Sequence, residues 1–174
     1  MSQALPSKLS LGEGWRPTRA PSVLDSAETT RACQEHSGTA CTGVLAGGRH
    51  TFILENQATS AVFAEFSIYA IDSPENAKVV YQAVRAATDQ KAHGDVRELK
   101  VDTGGDESSS YTDSDGPHTM VRVGGVLALV EVRGEESEES EESEESDDTA
   151  HIEKFAKAQV ERIRKVAVGE NPDA

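Results

Sequence analysis

The chain has 174 residues and a formal net charge of −14. This length predicts one domain with a single core. The sequence has no basic patch that could displace counterions from phosphates, so we expect no nucleic-acid partner. No apolar run approaches the roughly 20 residues that a membrane-spanning helix needs.

Much of the negative charge lies in one low-complexity tract. Residues 134–148 have the sequence GEESEESEESEESDD, which contains ten acidic residues and no apolar one. Taking these ten charges from the net charge of −14 leaves −4 for the remainder, which is therefore only mildly acidic. Because like charges at this density repel and nothing can be buried, we expect a disordered acidic insertion.

The first 24 residues contain three prolines and little apolar periodicity, so residues 1–24 are predicted to be an extended N-terminal segment. Two alternatives remain for it, either a stalk or a segment that lies on the domain with Trp15 as its anchor. The opening MSQALPSKLSLGEGW lacks the basic start and continuous apolar stretch of a secretory leader. The protein is therefore either cytosolic or a mature fragment whose leader precedes this sequence.

A short helix and one or two strands are predicted next. Asp25 or Ser26 can cap a helix over SAETTRACQEH. The following segment, GTACTGVLAGGRHTFILEN, has apolar residues suited to one or two strands, with Gly47 and Gly48 as a bend or bulge.

The clearest strand–helix unit occupies the middle of the chain. In AVFAEFSIYAI at 61–71, every even-numbered residue is apolar, which predicts a face towards the core. The other face is mixed, and we expect it to be half exposed. Ser73, Pro74 and Glu75 then predict a helix start, because they supply a hydroxyl cap, a proline at the first helical position and an acid in the first turn.

The second half repeats this plan less clearly. Residues 96–102 predict a weak strand, and residues 103–110 a polar loop. Alternating valines and leucines around Gly124 and Gly125 predict a hairpin with a two-residue turn. HIEKFAKAQVERIRKV predicts a closing amphipathic helix, with a glycine cap at position 169.

Together these elements predict an α+β fold in a single domain. We expect an antiparallel sheet of five or six strands with helices packed mainly on one face. The domain should span residues 25–168 and contain the disordered acidic insertion at 134–148. Residues 169–174 are predicted to be a loose tail.

Cys33 and Cys41 are the only cysteines, and eight positions separate them. A helix that turns back into a strand can bring two such Cα atoms within the reach of a disulfide, which we favour. Two free thiols are the first alternative. A metal site with His36 and His50 is the second, although the spacing matches no standard zinc pattern.

No catalytic motif is present. The sequence has no nucleophile elbow, phosphate-binding loop, dinucleotide fingerprint or HExxH pair. The five histidines show no ligand spacing, so we expect neither a cofactor nor a metal. A hydrolase built on Asp72, His118 and a serine remains a hypothesis that nothing in the sequence selects.

Four segments carry a resemblance to a known group of proteins. They are the C-x(n)-C-T-G-V-L-A-G-G segment at 33–48, the strand–SPENA–helix unit at 66–81, the VRVGGVLALV hairpin at 121–130, and the late AKAQVERI helix. They resemble actinobacterial cell-envelope lipoproteins and extracytoplasmic sensor-like domains, and more distantly the extracellular domain of actinobacterial serine/threonine kinases. Those kinase domains usually carry two disulfides, whereas this chain can form only one, and no functional residue is carried over.

The resemblance implies a non-enzymatic binding domain outside the cytoplasm. It would meet the membrane only through a lipid anchor that is absent from this sequence, and its ligand would be a protein or a small molecule. Two hypotheses from other classes remain. One is a cytosolic regulatory or antagonist protein that binds a basic partner through the acidic tract, and the other is the hydrolase above.

The candidate binding face is the mixed side of the central strand. It carries Phe63, Glu65, Ser67 and Tyr69. Partly exposed aromatic side chains supply much of the energy of many interfaces, so Phe63 and Tyr69 would be the anchors. The alternative is that a helix covers these residues as core.

Overall fold

One antiparallel sheet of eight strands organises the structure. The computed structural model describes residues 1–38, 41–55, 61–91, 96–134 and 144–174. The strands are β1 (Trp15–Pro17), β2 (Ser22–Leu24), β3 (Val44–Glu55), β4 (Ala61–Ile71), β5 (Arg97–Glu98), β6 (Glu107–Asp113), β7 (Gly116–Val123) and β8 (Val126–Gly134). The helices are α1 (Lys8–Leu11), α2 (Ser26–Ser37), α3 (Pro74–Lys91) and α4 (Glu144–Ala167), and a 3₁₀ turn covers Ser2–Ala4.

The order of the strands is β1-β3-β4-β8-β7-β6-β5, with β2 paired to another part of β3. The fold is α+β in a single domain, as predicted, but eight strands replace the five or six expected. Two of the additional strands, β1 and β2, come from the N-terminal segment. Another, β6, takes up residues 107–110 of the predicted polar loop, which its pairing with β7 holds in extended form.

Helices pack on both faces of the sheet, which corrects the prediction of helices mainly on one face. Helix α4 covers one face, where Phe155 and Ile152 join a core with Phe66 and Val130. Helices α2 and α3 cover the other, around Tyr69 and other apolar side chains. The physical reason is that β4 and β8 bury apolar residues at both even and odd positions, so neither face can be left in water.

The N-terminal segment is part of the core and not a stalk. Trp15 is only 2% exposed and packs edge-on against Phe155 of α4, with ring centroids 5.0 Å apart. Leu5 and Leu11 are equally buried. Of the two alternatives for residues 1–24, the structure therefore shows the segment that lies on the domain with Trp15 as its anchor.

Arg162 of α4 holds both ends of the chain. Its guanidinium donates hydrogen bonds to the Gln3 carbonyl oxygen, to Ser10 Oγ and to Asp173 Oδ1. The Asp173 carboxylate also accepts a hydrogen bond of 2.6 Å from the Ser7 hydroxyl. The predicted loose tail is thus docked, because a buried guanidinium needs an anionic partner.

Gly47 and Gly48 lie inside the single strand β3 and form no bend. A Cβ on Gly47 would lie 2.7 Å from the Thr29 methyl group of α2, and one on Gly48 would lie 3.0 Å from Leu5 Cδ1. The two glycines therefore allow close packing on opposite faces of the strand. The irregularity in pairing lies earlier, between Val44 and Ala46.

The predicted starts of α2 and α3, the hairpin turn and the end of α4 are confirmed, whereas α4 begins earlier than predicted, at Glu144 inside the acidic tract and not at His151. Asp25 caps α2 in a reciprocal capping box with Glu28. Ser73 Oγ accepts a hydrogen bond from the Asn76 backbone N–H at the start of α3. Gly124 and Gly125 form the two-residue turn between β7 and β8, and the left-handed Gly169 follows the end of α4.

Cys33 and Cys41 form a disulfide, with Cα atoms 6.1 Å apart. The bond joins α2 to the segment that leads into β3, and it excludes the alternatives of free thiols and a thiolate–metal site. The acidic insertion is described only in part. Residues 135–143 lie outside the described ranges, whereas the backbone from Glu144 onwards belongs to α4.

Replacement of both cysteines by alanine should destabilise the protein by about 2–3 kcal/mol, because the bond closes a short loop in the unfolded chain. Urea unfolding of the double variant checks this, and the unmodified protein treated with reductant is the matched control. Equal midpoints for the oxidised protein and the variant would contradict the prediction.

The contact between Asp173 and Arg162 predicts a pH dependence. Hydrogen bonds from Arg162 and then from Ser7 hold the pKa of the Asp173 carboxyl below its usual value. A lowered folded-state pKa adds stability above the unfolded-state value of about 4, and this stability disappears as the pH falls through the folded-state pKa. Asp173→Asn should therefore cost about 1 kcal/mol or less at pH 7, since the carboxylate is partly exposed.

The cost of Asp173→Asn should shrink when thermal unfolding is repeated below the folded-state pKa. Lys165→Gln is a useful comparison, because the Lys165 side chain bonds to the Ala174 carbonyl oxygen and its charge is the smallest of the causes that lower the pKa of Asp173. A cost that does not change with pH would show that the carboxylate charge is not what holds the tail.

Candidate functional site

A line of mutually paired residues crosses five strands on the face that α2 and α3 partly cover. Thr51, Glu65, Glu131, His118 and Tyr111 lie opposite one another in the registers of β3, β4, β8, β7 and β6. We call these five residues the polar row. The two carboxylates are partly accessible, with side-chain exposures of 29% for Glu65 and 16% for Glu131.

The polar row marks the edge of the helix layer. The adjacent line across the sheet contains Ser67, Leu129 and Met120, all of which are buried. Leu129 and Met120 belong to the apolar cluster that α3 completes with Val80 and Val84. At β3 and β4 the helix cover therefore ends between these two lines, whereas at the other end of the polar row α3 still reaches Tyr111 through Thr88 and lies beside the buried His118.

Ion pairs fix the side chains around the polar row. Arg49 Nε lies 3.1 Å from Glu65 Oε1, and its N–H also reaches Ser67 Oγ at 3.4 Å. Arg133 pairs with Glu131. Because these groups are partly buried, solvent screens their attraction less than it would on an open surface.

His118 lies between two carboxylates. Its Nε2 atom is 2.9 Å from Asp113 Oδ1, and its Nδ1 atom is 3.9 Å from Glu131 Oε1. The ring of Tyr111 stacks on the imidazole, with centroids 4.8 Å apart and planes 12° from parallel. Burial raises the pKa of the Tyr111 hydroxyl, so this ring is neutral at physiological pH.

The arrangement does not assemble the hypothetical hydrolase. Both ring nitrogens of His118 face carboxylates, so in the described parts of the chain no hydroxyl or thiol is bonded to it as a nucleophile. Asp72 accepts a hydrogen bond from the Asn76 side chain at the other end of β4. It is seven residues beyond Glu65, or about 23 Å along a strand.

The helix layer divides the candidate binding face. Phe63, Glu65, Ser67 and Tyr69 share one face of β4, as predicted, but Ser67 is 5% exposed and Tyr69 only 1%. The alternative of helix cover holds for these two residues. Phe63 and Glu65 are half-buried at the open end, and binding through them stays a prediction.

Part of this site could have been found from the sequence. Counting outwards from the turn at Gly124 and Gly125 places His118 opposite Glu131. The placement of Glu65 beside Glu131 could not be found in this way, because β4 and β8 are far apart in sequence.

A pocket of about 230 Å³ lies at the β3 end of the polar row, between β2 and α2. Arg49 belongs to its wall as well as to the ion pair with Glu65. We call it the arginine pocket, and its lining is Arg19, Ser22, Leu24, Glu28, Arg31, Ala32, Glu35 and Arg49.

Two further findings concern metal ions and membranes. Over the residues with described positions, no group of three or more histidine, cysteine or acidic side chains is arranged to hold a metal ion. Of the helices described, none has both the length and the apolar character needed to cross a bilayer.

Comparison with known proteins adds no relative. No protein-family model matches the chain, and no significant match was found among curated proteins or solved structures. The geometry of the sheet face therefore carries the functional argument.

The burial of Tyr69 under the helices predicts that the protein loses stability at alkaline pH. Burial raises the pKa of Tyr69 to about 12, whereas an unfolded chain has a tyrosine pKa of about 10. A raised folded-state pKa means that Tyr69 supports the fold below pH 10 and that this support is lost as the pH rises towards 12. Phenolate absorbance should show a late-titrating tyrosine that Tyr69→Phe removes.

The same variant should lose less stability than the unmodified protein between pH 10 and 12. Tyr81→Phe is the comparison, since the pKa of Tyr81 is also raised by burial. If every tyrosine of the folded protein titrates at the same pH as in the denatured chain, the prediction that Tyr69 is buried under the helices is wrong.

Proposed function

We propose that the protein is a non-enzymatic binding domain that works outside the cytoplasm and takes its ligand on the polar row. The observation that supports this most directly is a line of polar, charged and aromatic side chains across five strands at the edge of the helix layer, of which all but the buried His118 are partly exposed. Such a surface offers a ligand fixed donors, acceptors and charges.

The polar row is preorganised for binding. Arg49, Arg133 and His118 are each held by a carboxylate, so few side chains need to be ordered when a ligand arrives. Ordering a long side chain costs roughly 0.5–1.5 kcal/mol, and a surface that is already ordered avoids much of this cost.

An apolar pair flanks the polar row. Phe63 lies opposite Ile53 on β3 and opposite Arg133 on β8, and all three residues are on the same face as Glu65. An aromatic ring beside charged groups is typical of an energetically important contact, because the ring gains from desolvation while the charges set orientation. Phe63 is therefore the proposed anchor, in place of the buried Tyr69.

Two observations favour a compartment outside the cytoplasm. The Cys33–Cys41 disulfide is the form expected where thiols are not kept reduced. The resemblance of four segments to actinobacterial envelope lipoproteins and sensor-like domains points the same way. Under this proposal, a lipid anchor upstream of the sequence would hold the domain at the membrane.

Binding is favoured over catalysis by the surroundings of His118. A general base that activates a nucleophile needs one ring nitrogen directed at that nucleophile. Here the two nitrogens face Asp113 and Glu131, which suits a structural or ligand-orienting role.

A photo-crosslinking amino acid at position 63, in the gene product as its own cells make it, tests the proposal. We expect a defined adduct, because position 63 lies on the binding surface, and Glu65→Gln in the same background should lower its yield several-fold. Mass spectrometry of the adduct identifies the ligand as a protein or a small molecule.

The matched control carries the crosslinker at Val168, which is 71% exposed and follows α4 on the opposite side of the sheet. Protease added to intact protoplasts should digest the protein, since it is proposed to face outwards. An equal yield of adduct from both positions would contradict the proposed binding surface. Full protection from protease would contradict the proposed location outside the cytoplasm.

A further inference from the structure

The arginine pocket carries two guanidinium groups that have no ion-pair partner among the described residues. Arg19 and Arg31 form no ion pair within the described ranges. Glu35 stands four residues after Arg31 on α2, at a spacing that often gives an ion pair, yet the two side chains are not paired. Two positive charges without an ion pair therefore line a concave site.

The third guanidinium is held in place. Arg49 is fixed by Glu65 and Ser67, and it lines the pocket beside Ser22, its partner on β2. The Ser22 side chain adds a hydroxyl that can donate a hydrogen bond. One arginine held by an ion pair and two without one therefore face the space between β2 and α2.

The acidic lining residues do not form ion pairs with these arginines. Glu28 Oε2 accepts a hydrogen bond from the Asp25 backbone N–H, so the capping box engages this carboxylate at the start of α2. Glu35 has no such bond, so the lining holds two arginines without an ion pair, one carboxylate engaged by a backbone N–H and one carboxylate without a partner among the described residues.

We propose that the arginine pocket binds the anionic group, carboxylate or phosphate, of a small ligand. Guanidinium groups form paired, charge-assisted hydrogen bonds with both kinds of oxyanion. A volume of about 230 Å³ lies just below the roughly 300–1,000 Å³ of pockets for drug-sized molecules, which favours a small ligand over a polymer. This site goes beyond the proposed function, because it needs no ligand on the polar row.

The test uses inorganic phosphate and, in a separate arm, acetate, added to the isotopically labelled protein at constant ionic strength. Saturable shifts of the backbone amides of Ser22, Arg31 and Arg49 are expected, with few changes elsewhere. The arm with the lower dissociation constant tells whether the natural ligand group is a phosphate or a carboxylate.

Arg31→Gln should weaken binding of the preferred probe by about tenfold or more, since a hydrogen bond to a charged group is lost. Arg31 is exposed, so the variant should keep the melting temperature of the unmodified protein. Arg85→Gln is the matched control, because Arg85 is also an exposed helical arginine but lies on α3 and outside this pocket.

Glu35→Gln should strengthen binding of the same probe, because it removes a like charge from the lining. Unchanged or weaker binding by this variant would overturn the proposal, since it would show that the anion does not bind beside Glu35 in the arginine pocket. Non-saturating shifts in both arms, or equal losses in Arg31→Gln and Arg85→Gln, would also overturn it. The crosslinking result at position 63 is unaffected by any of these outcomes.

Discussion

The central strand β4 buries residues on both of its faces, and the rest of the fold depends on this constraint. Phe66 and Ile68 face α4, whereas Tyr69 and Ile71 face the layer of α2 and α3. Burial of one such side chain contributes roughly 1.5–3 kcal/mol, so exposing either face would cost more than a small domain can spare. Two helical layers are needed for this reason.

The two helix layers cover different areas of the sheet, and the candidate site lies where the layer of α2 and α3 leaves the sheet uncovered. Helix α4 is long and is extended by the N-terminal segment, so its face of the sheet is widely covered. Helices α2 and α3 leave Thr51, Glu65 and Glu131 partly exposed, although α3 still reaches Tyr111 through Thr88. Partly buried charges are stable at this boundary because each has an opposite charge nearby, on the next strand for Arg49 and Glu65 and on the same strand for Arg133 and Glu131.

Local signals explain what the sequence could predict. The alternation in β4, the Ser73 cap, the hairpin turn and the periodicity of α4 each lie within one short window, and all four are present in the structure. The strands β1 and β2 have three residues each, which is too short for alternation to be visible. The serine-rich strand β6 has no apolar pattern and is held by pairing with β7.

The site was harder to predict than the fold because it depends on contacts between distant parts of the chain. Whether Tyr69 is exposed depends on where α3 lies, and the neighbours of Glu65 depend on the pairing of β4 with β8. Both are contacts between distant parts of the chain, which leave no local pattern. The candidate face was placed on the right strand, but its boundary with the helix cover could not be located.

The hydrogen bonds of Arg162 to both ends of the chain would determine the orientation of the domain on a membrane, if it is tethered there as proposed. They gather Gln3 and Asp173 beside α4, on the side of the sheet opposite the polar row. Any tether joined to residue 1 would therefore emerge behind the sheet. A domain attached in this way would turn α4 towards the surface that carries it and leave the polar row facing outwards, where large partners can approach without a steric clash.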